Sequence, residues 1–209
     1  MKVSVIGAGN MGSGFVKQFS SAGHTVRIAS RTTDKADALA RLYPNTAAVA
    51  TGPAAADADV IVLAVGYGDV ADALTALGDV SEKIIVDVSN PLTADYMGLS
   101  IGHSTSAAEE IARLAPRSKV VKAFNTLFAE VLRDGPAFAN GAVAPVFYAG
   151  DDPAAKAKVA ALIESIGFTP VDAGELKNAR YLEPLAGLNV FFGYGAGLGI
   201  GIAPAWISR

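Results

Sequence analysis

Apolar positions along the chain fall into two alternating patterns: short continuous runs, and stretches in which apolar residues return every three or four positions. Val60-Ile-Val-Leu-Ala-Val65 and Lys83-Ile-Ile-Val-Asp-Val88 are runs of the kind that form strands buried on both faces of a parallel sheet. Val3–Ile6, Val26–Ala29, Ala47–Thr51, Ser118–Phe124, Val146–Ala149 and Thr169–Asp172 add further strands. Between them, Met11, Phe15, Val16 and Phe19 mark one face of a helix, and Asp34–Tyr43 and Asp69–Leu77 predict two more, the former ended by Pro44. Ser106-Ala-Ala-Glu109 has capping-box spacing and starts a helix through Leu114; Asp151-Asp152-Pro153 introduces another through Ile166. Strand and helix therefore alternate throughout, which predicts an α/β fold with a doubly wound, mainly parallel sheet.

Two segments depart from this rhythm. Leu92–Ser104 is irregular, and Glu175–Arg209 begins as a helix and becomes glycine-rich. The second segment has no charge from Pro184 to Ile207, long enough in principle to span a bilayer. Six glycines, Asn189 and Pro204 argue instead for a packed helix-and-loop element. The chain divides accordingly into a Rossmann-like unit, residues 1–174, and a C-terminal extension, residues 175–209, packed on it or on a second subunit.

The first predicted strand runs straight into Gly7-Ala8-Gly9-Asn10-Met11-Gly12, which opens the first helix. In that context the glycines indicate a dinucleotide site. Gly7 makes the tight turn, Gly9 admits a pyrophosphate, and Gly12 lets helix and sheet approach, with the phosphates at the helix N-terminus. After the second strand, where an NAD site places an acid against the ribose hydroxyls, the chain has Ser30-Arg31-Thr32, with Lys35 one turn on. Two hydroxyls and a guanidinium fork suit a 2′-phosphate dianion, so NADP(H) is favoured over NAD(H). The alternative is that Arg31 and Lys35 are solvated surface residues.

Composition narrows the remaining choices. Of 209 residues, 51% are apolar and 18% charged, which supplies a large core. The net charge of −3 and the absence of a basic tract argue against nucleic acid as the main partner. With no cysteine, the chain has neither disulfides nor thiolate chemistry, and no metal-ligand cluster is apparent. The apolar run at the N-terminus is too short for a signal peptide, so the expected location is cytoplasmic, without membrane insertion.

Ligands of open parallel sheets sit beyond the carboxyl ends of the strands. Three later loops meet that description: Ala64-Val65-Gly66-Tyr67, Ser89-Asn90-Pro91-Leu92 and Phe124-Asn125-Thr126-Leu127. Tyr67 could cover a ring face, and Asn90 or Asn125 could bond a carboxamide or a substrate carbonyl. Both asparagines could equally serve only to satisfy turn backbone. Of the two histidines, His24 lies on the wrong edge for catalysis and reads as a packing residue, whereas His103 lies near a helix start in the irregular segment. No acid–base pair stands near the loops, so no catalytic residue is assigned. Ketone reduction normally needs a proton donor, whereas hydride transfer between two rings depends mainly on positioning.

With these residues noted, the chain resembles the NADPH-dependent oxidoreductases of the deazaflavin coenzyme F-420. The resemblance rests on Gly7–Gly12, Ser30-Arg31, Ser106–Glu109 and Asp172-Ala-Gly-Glu-Leu-Lys-Asn-Ala-Arg180, and covers nearly the whole length. It implies reversible hydride transfer between NADPH and F-420, a Rossmann-like domain with a small C-terminal extension, and a homodimer. Lys122-Ala-Phe-Asn-Thr126 departs from the archaeal members and is similar to the reductase domain of transmembrane metalloreductases, which pass hydride to a flavin. The cofactor expected is thus NADP(H), held by residues 7–12, 30–32, 35, 64–67 and 90, with F-420 or a flavin against residues 124–127. Two alternatives are a reductase of a small imine or carbonyl compound and an NADP(H) sensor without turnover.

Overall fold

The computed structural model describes residues 1–207. Eight strands form one sheet in the order β3-β2-β1-β4-β5-β6-β7-β8. They are β1 (Lys2–Ile6), β2 (Thr25–Ala29), β3 (Thr46–Ala48), β4 (Val60–Leu63), β5 (Ile84–Asp87), β6 (Lys119–Ala123), β7 (Pro145–Gly150) and β8 (Thr169–Asp172). All neighbouring pairs are parallel except β6 and β7. Because β1 lies between β2 and β4, the chain reverses its direction of winding there and opens a crevice over the carboxyl ends of all three strands.

Helices cover both faces, as the continuous apolar runs require. One face packs Val3, Val5, Val60 and Val62 against Phe15, Val16 and Phe19 of α1 (Asn10–Ser21) and Val159, Leu162 and Ile163 of α7 (Pro153–Ser165). The other packs Ile6, Ile61, Leu63 and Ile85 against Leu74 of α4 (Val70–Leu77) and Ile111 of α5 (Ala107–Leu114). Alternate residues of single strands supply the two layers, as the pleat dictates. Both predicted caps form: the Ser106 hydroxyl accepts from the Glu109 amide at 3.2 Å, and Asp152 Oδ1 accepts from the Ala155 amide at 2.7 Å.

Several boundaries differ from the sequence expectation. The third strand is Thr46–Ala48, shifted from Ala47–Thr51, since Thr51–Ala54 coils into a helical turn, α3. β4 stops at Leu63, which frees Ala64 and Val65 to wall the crevice. Helix α2 (Thr33–Leu42) is otherwise as expected, and α6 (Ala129–Asp134) was too short to carry a period.

The C-terminal extension packs back on the sheet. Helix α8 (Ala179–Val190) contains Pro184, passes into a π turn at Phe191–Gly195, and leads to Trp206, which meets Phe147 edge-on at 5.1 Å. Residues 208 and 209 of the predicted extension lie outside the described residues. Among the described residues no helix is long and apolar enough to cross a membrane.

Candidate functional site

The crevice begins at the glycine turn. Gly7 has a φ of +115°, and a Cβ there would lie 2.2 Å from the Ala64 carbonyl oxygen. A Cβ at Gly12 would lie 1.9 Å from the Gly7 carbonyl oxygen, so both glycines answer to the protein's own backbone. Gly9 differs: its φ of −84° suits any residue, and a Cβ would meet nothing within 4 Å. No neighbour in the chain requires glycine there, and the open space is where a pyrophosphate would pass at the start of α1.

A cavity of about 430 Å³ continues from this turn, lined by Gly7, Ala8, Gly9, Ser30, Arg31, Thr32, Lys35, Ala64 and Val65 among others. Nine of the residues assigned to the cofactor from sequence therefore share one wall system. Asn10, Met11, Gly12, Gly66, Tyr67 and Asn90 lie outside this lining. Sequence reasoning missed Ile6, Thr51, Asp69, Asp72, Ala73 and Ala76, which complete it from the end of β1, α3, the turn before α4 and α4 itself. Arg31 is already engaged across the cavity: its Nη1 and Nη2 donate to Asp69 Oδ1 and Oδ2 at 2.9 and 3.1 Å. A carboxylate on the guanidinium fork shows that this position holds an anion in the geometry a phosphate would use.

Beyond the cavity, the loops after β5 and β6 are joined to each other. Asn90 Nδ2 donates to the Asn125 carbonyl at 2.8 Å, and Asn125 Nδ2 donates to Asn90 Oδ1 and to the Leu182 carbonyl, both at 2.9 Å. The asparagines thus tie the two turns and α8 together, which is the backbone-satisfying role left open above. The turn at 124–127 departs from expectation. Phe124 is wholly buried and stands edge-on to Phe15 at 5.0 Å, so its ring belongs to the core and does not line an acceptor pocket. Asn125, Thr126 and Leu127 are buried too. Yet Phe124 sits at a φ of +63°, and Asn125 Oδ1 and Thr126 Oγ1 are buried without a hydrogen-bond partner. Strain and unsatisfied polar atoms of this kind concentrate at functional sites.

Directly beneath these turns is a buried charge cluster that the sequence reading passed over. Lys122 Nζ lies 2.8 Å from Asp87 Oδ2, 2.8 Å from Glu183 Oε1 and 2.6 Å from the Ser89 carbonyl, so all three ammonium protons are used. Asp87 Oδ1 accepts from the Ser89 amide and hydroxyl, while Glu183 accepts from the Ala107 and Ala108 amides at the start of α5. The signal was available: Asp87 and Lys122 stand inside consecutive apolar strands, and such charges are buried only when paired. Half-buried Tyr67 is held above the usual tyrosine pKa by burial, then by the nearby Glu110, Glu183 and Asp87 carboxylates. His24 is a packing residue as expected: Nδ1 meets the Met1 amine at 3.0 Å and Nε2 the Ser165 hydroxyl at 2.8 Å. His103 is exposed on a separate surface hollow with Lys177 and Arg180.

A doubly wound sheet with a glycine turn at its switch point defines a nucleotide-binding α/β protein. Comparison with known proteins makes the class specific. Residues 2–91 match the family described as NADP oxidoreductase coenzyme F420-dependent. A solved structure of a putative F420-dependent NADP-reductase from Arthrobacter sp. FB24 is 32% identical, with 96% of each chain covered and a TM-score of 0.85. The hypothetical protein SMa0349 from Sinorhizobium meliloti is 34% identical, with 84% of this chain and 86% of that one covered and a TM-score of 0.77. Among curated proteins, rat (Rattus norvegicus) metalloreductase STEAP3 is 32% identical over 88% of this chain, which spans only 36% of that protein's length. The chain belongs to the F420-dependent NADP oxidoreductase family.

Proposed function

We propose that the protein binds NADPH in this crevice and exchanges hydride with a flat tricyclic ring, the deazaflavin F-420 or a flavin. Gly7–Gly12 would receive the pyrophosphate, and Ser30, Arg31, Thr32 and Lys35 the 2′-phosphate. Ala64–Tyr67 and Asn90 would border the nicotinamide, and Asn125–Leu127 would face the acceptor. The observation that carries this reading is the pairing of an open Gly9 with a cation cluster at the other end of one cavity, since a dinucleotide phosphate ester needs both.

The acceptor assignment draws on the chemistry of the remaining groups. When bound, NADPH supplies the hydride; the chain's part is to bind, orient and exclude water. The three donors of Lys122 are engaged within the buried cluster, and Tyr67, held above the usual tyrosine pKa, stays protonated at neutral pH. The amides of Asn90 and Asn125 are spent on each other and on α8, and Asn125 Oδ1 and Thr126 Oγ1, unpaired but buried, would meet a ring acceptor only if the turn opens. The Arthrobacter neighbour carries F-420 in its name, and the STEAP3 match extends through the Lys122–Thr126 turn, where flavin is the alternative. We also assign the protein to the cytoplasm as a homodimer, with exposed Phe191, Phe192 and Tyr194 as apolar surface suited to a partner subunit. Mixing purified protein and NADPH with F-420 or with FMN tests the reaction: loss of the nicotinamide absorbance band with either acceptor supports it. Binding of NADPH without oxidation by both would favour a sensor instead.

A further inference from the structure

The Arg31–Asp69 ion pair crosses the crevice from one wall to the other. Arg31 follows β2 and Asp69 precedes α4 after β4, on either side of the glycine turn that ends β1. The Arg31 side chain is 80% exposed and the Asp69 side chain 43%, so the pair lies at the mouth and not in the core. It contributes little to folding stability at that exposure. Its two parallel bonds nevertheless occupy the guanidinium fork that a 2′-phosphate would use.

Resting on the NADP(H) reading above, we propose that Asp69 is an internal competitor for the 2′-phosphate site and thereby a determinant of cofactor affinity and selectivity. In the free protein it holds Arg31; NADPH gains the guanidinium only by displacing it. A phosphate dianion outcompetes a carboxylate for that fork, whereas the neutral 2′-hydroxyl of NADH does not. Apparent affinity for NADPH is therefore lowered by the fraction of time Arg31 spends with Asp69. NADP⁺ carries the same 2′-phosphate, so the same competition eases its departure.

Calorimetric titration of the wild type, Asp69→Asn, Arg31→Ala and the double variant with NADPH, NADP⁺ and NADH tests this. Asp69→Asn should lower Kd for NADPH and for NADP⁺ by about three- to tenfold and change Kd for NADH by less than about twofold. Combined with Arg31→Ala, Asp69→Asn should have no further effect on NADPH beyond about twofold, since the competition runs through Arg31. A weaker NADPH complex in Asp69→Asn would mean that Asp69 orients Arg31, and would overturn the proposal. Tightening that persists without Arg31 would overturn it too, by showing an effect of the general field. Unchanged NADPH binding in Asp69→Asn defeats this inference alone, whereas a wild type that binds no NADP(H) defeats the function proposed above.

Discussion

Replacing Lys122 by Met removes the one cation from a cluster in which Lys122 and Asp87 are fully buried and the Glu183 side chain is 2% exposed. Met approximates the length of the Lys stem, so little cavity is created. Both ion pairs in the cluster are 2.8 Å, and a pair of charges centred about 4 Å apart attracts by about 4 kcal/mol at an effective dielectric near 20. Much of that attraction offsets desolvation of the ions, which is why an intact buried cluster is nearly neutral for stability. The variant, however, leaves two carboxylates in the interior without their counter-charge. Their bonds from Ser89, Ala107 and Ala108 remain, so the loss should be about 3–5 kcal/mol and not the full solvation penalty. For a domain of this size that corresponds to a fall in Tm of roughly 6–20 °C. Urea and thermal unfolding followed by circular dichroism measure it. The triple variant Lys122→Met, Asp87→Asn, Glu183→Gln removes every charge and should recover at least half of the loss. A single variant less than about 1 kcal/mol below wild type, or a triple variant no better than the single, would refute the reasoning.

The glycine turn yields a contrast between two substitutions. Gly9→Ala meets open space and should cost no more than about 1 kcal/mol as a changed helix cap, while weakening NADPH binding by more than about tenfold in a fluorescence titration. Gly12→Ala puts a methyl 1.9 Å from the Gly7 carbonyl oxygen and should cost about 2–3 kcal/mol in urea unfolding even without cofactor. A Gly9→Ala protein with wild-type NADPH affinity would remove the pyrophosphate assignment. A pH series checks the Glu109–Arg180 pair, whose bonds at 2.7 and 2.9 Å hold the Glu109 carboxyl below its ordinary value of 4.5. A depressed carboxyl stabilises above the unfolded pKa and loses that stabilisation as pH falls through the folded one. The stability difference between wild type and Glu109→Gln, about 1 kcal/mol at neutral pH, should therefore hold down to about pH 4.5 and shrink below it. A difference that grows on acidification contradicts the pairing.

Sheet, winding and the glycine turn were legible because each depends on local pattern. An apolar run such as Val60–Val65 has to be buried on both faces, and Gly7–Gly12 after a strand has one geometric use, so the alternating strands and the first loop followed from the chain itself. The same logic identified Ser30, Arg31, Thr32 and Lys35, which line one cavity. It failed at the turn after β6. Phe124 was assigned to the acceptor side, but at a φ of +63° its ring is turned inward against Phe15, and backbone handedness at one residue leaves no trace in composition.

What tertiary structure alone decided are the pairings between residues far apart in sequence. Lys122 meets Asp87 and Glu183 because β5 and β6 are neighbours and α8 folds back over them, separations of 35 and 61 positions. Asp69 reaches Arg31 because β2 and β4 flank β1, which places the start of α4 opposite the end of β2. Hydrophobic period and glycine geometry act over a few residues and can be read in order along the chain; charge pairing acts through space and appears only once the sheet has set its strand order.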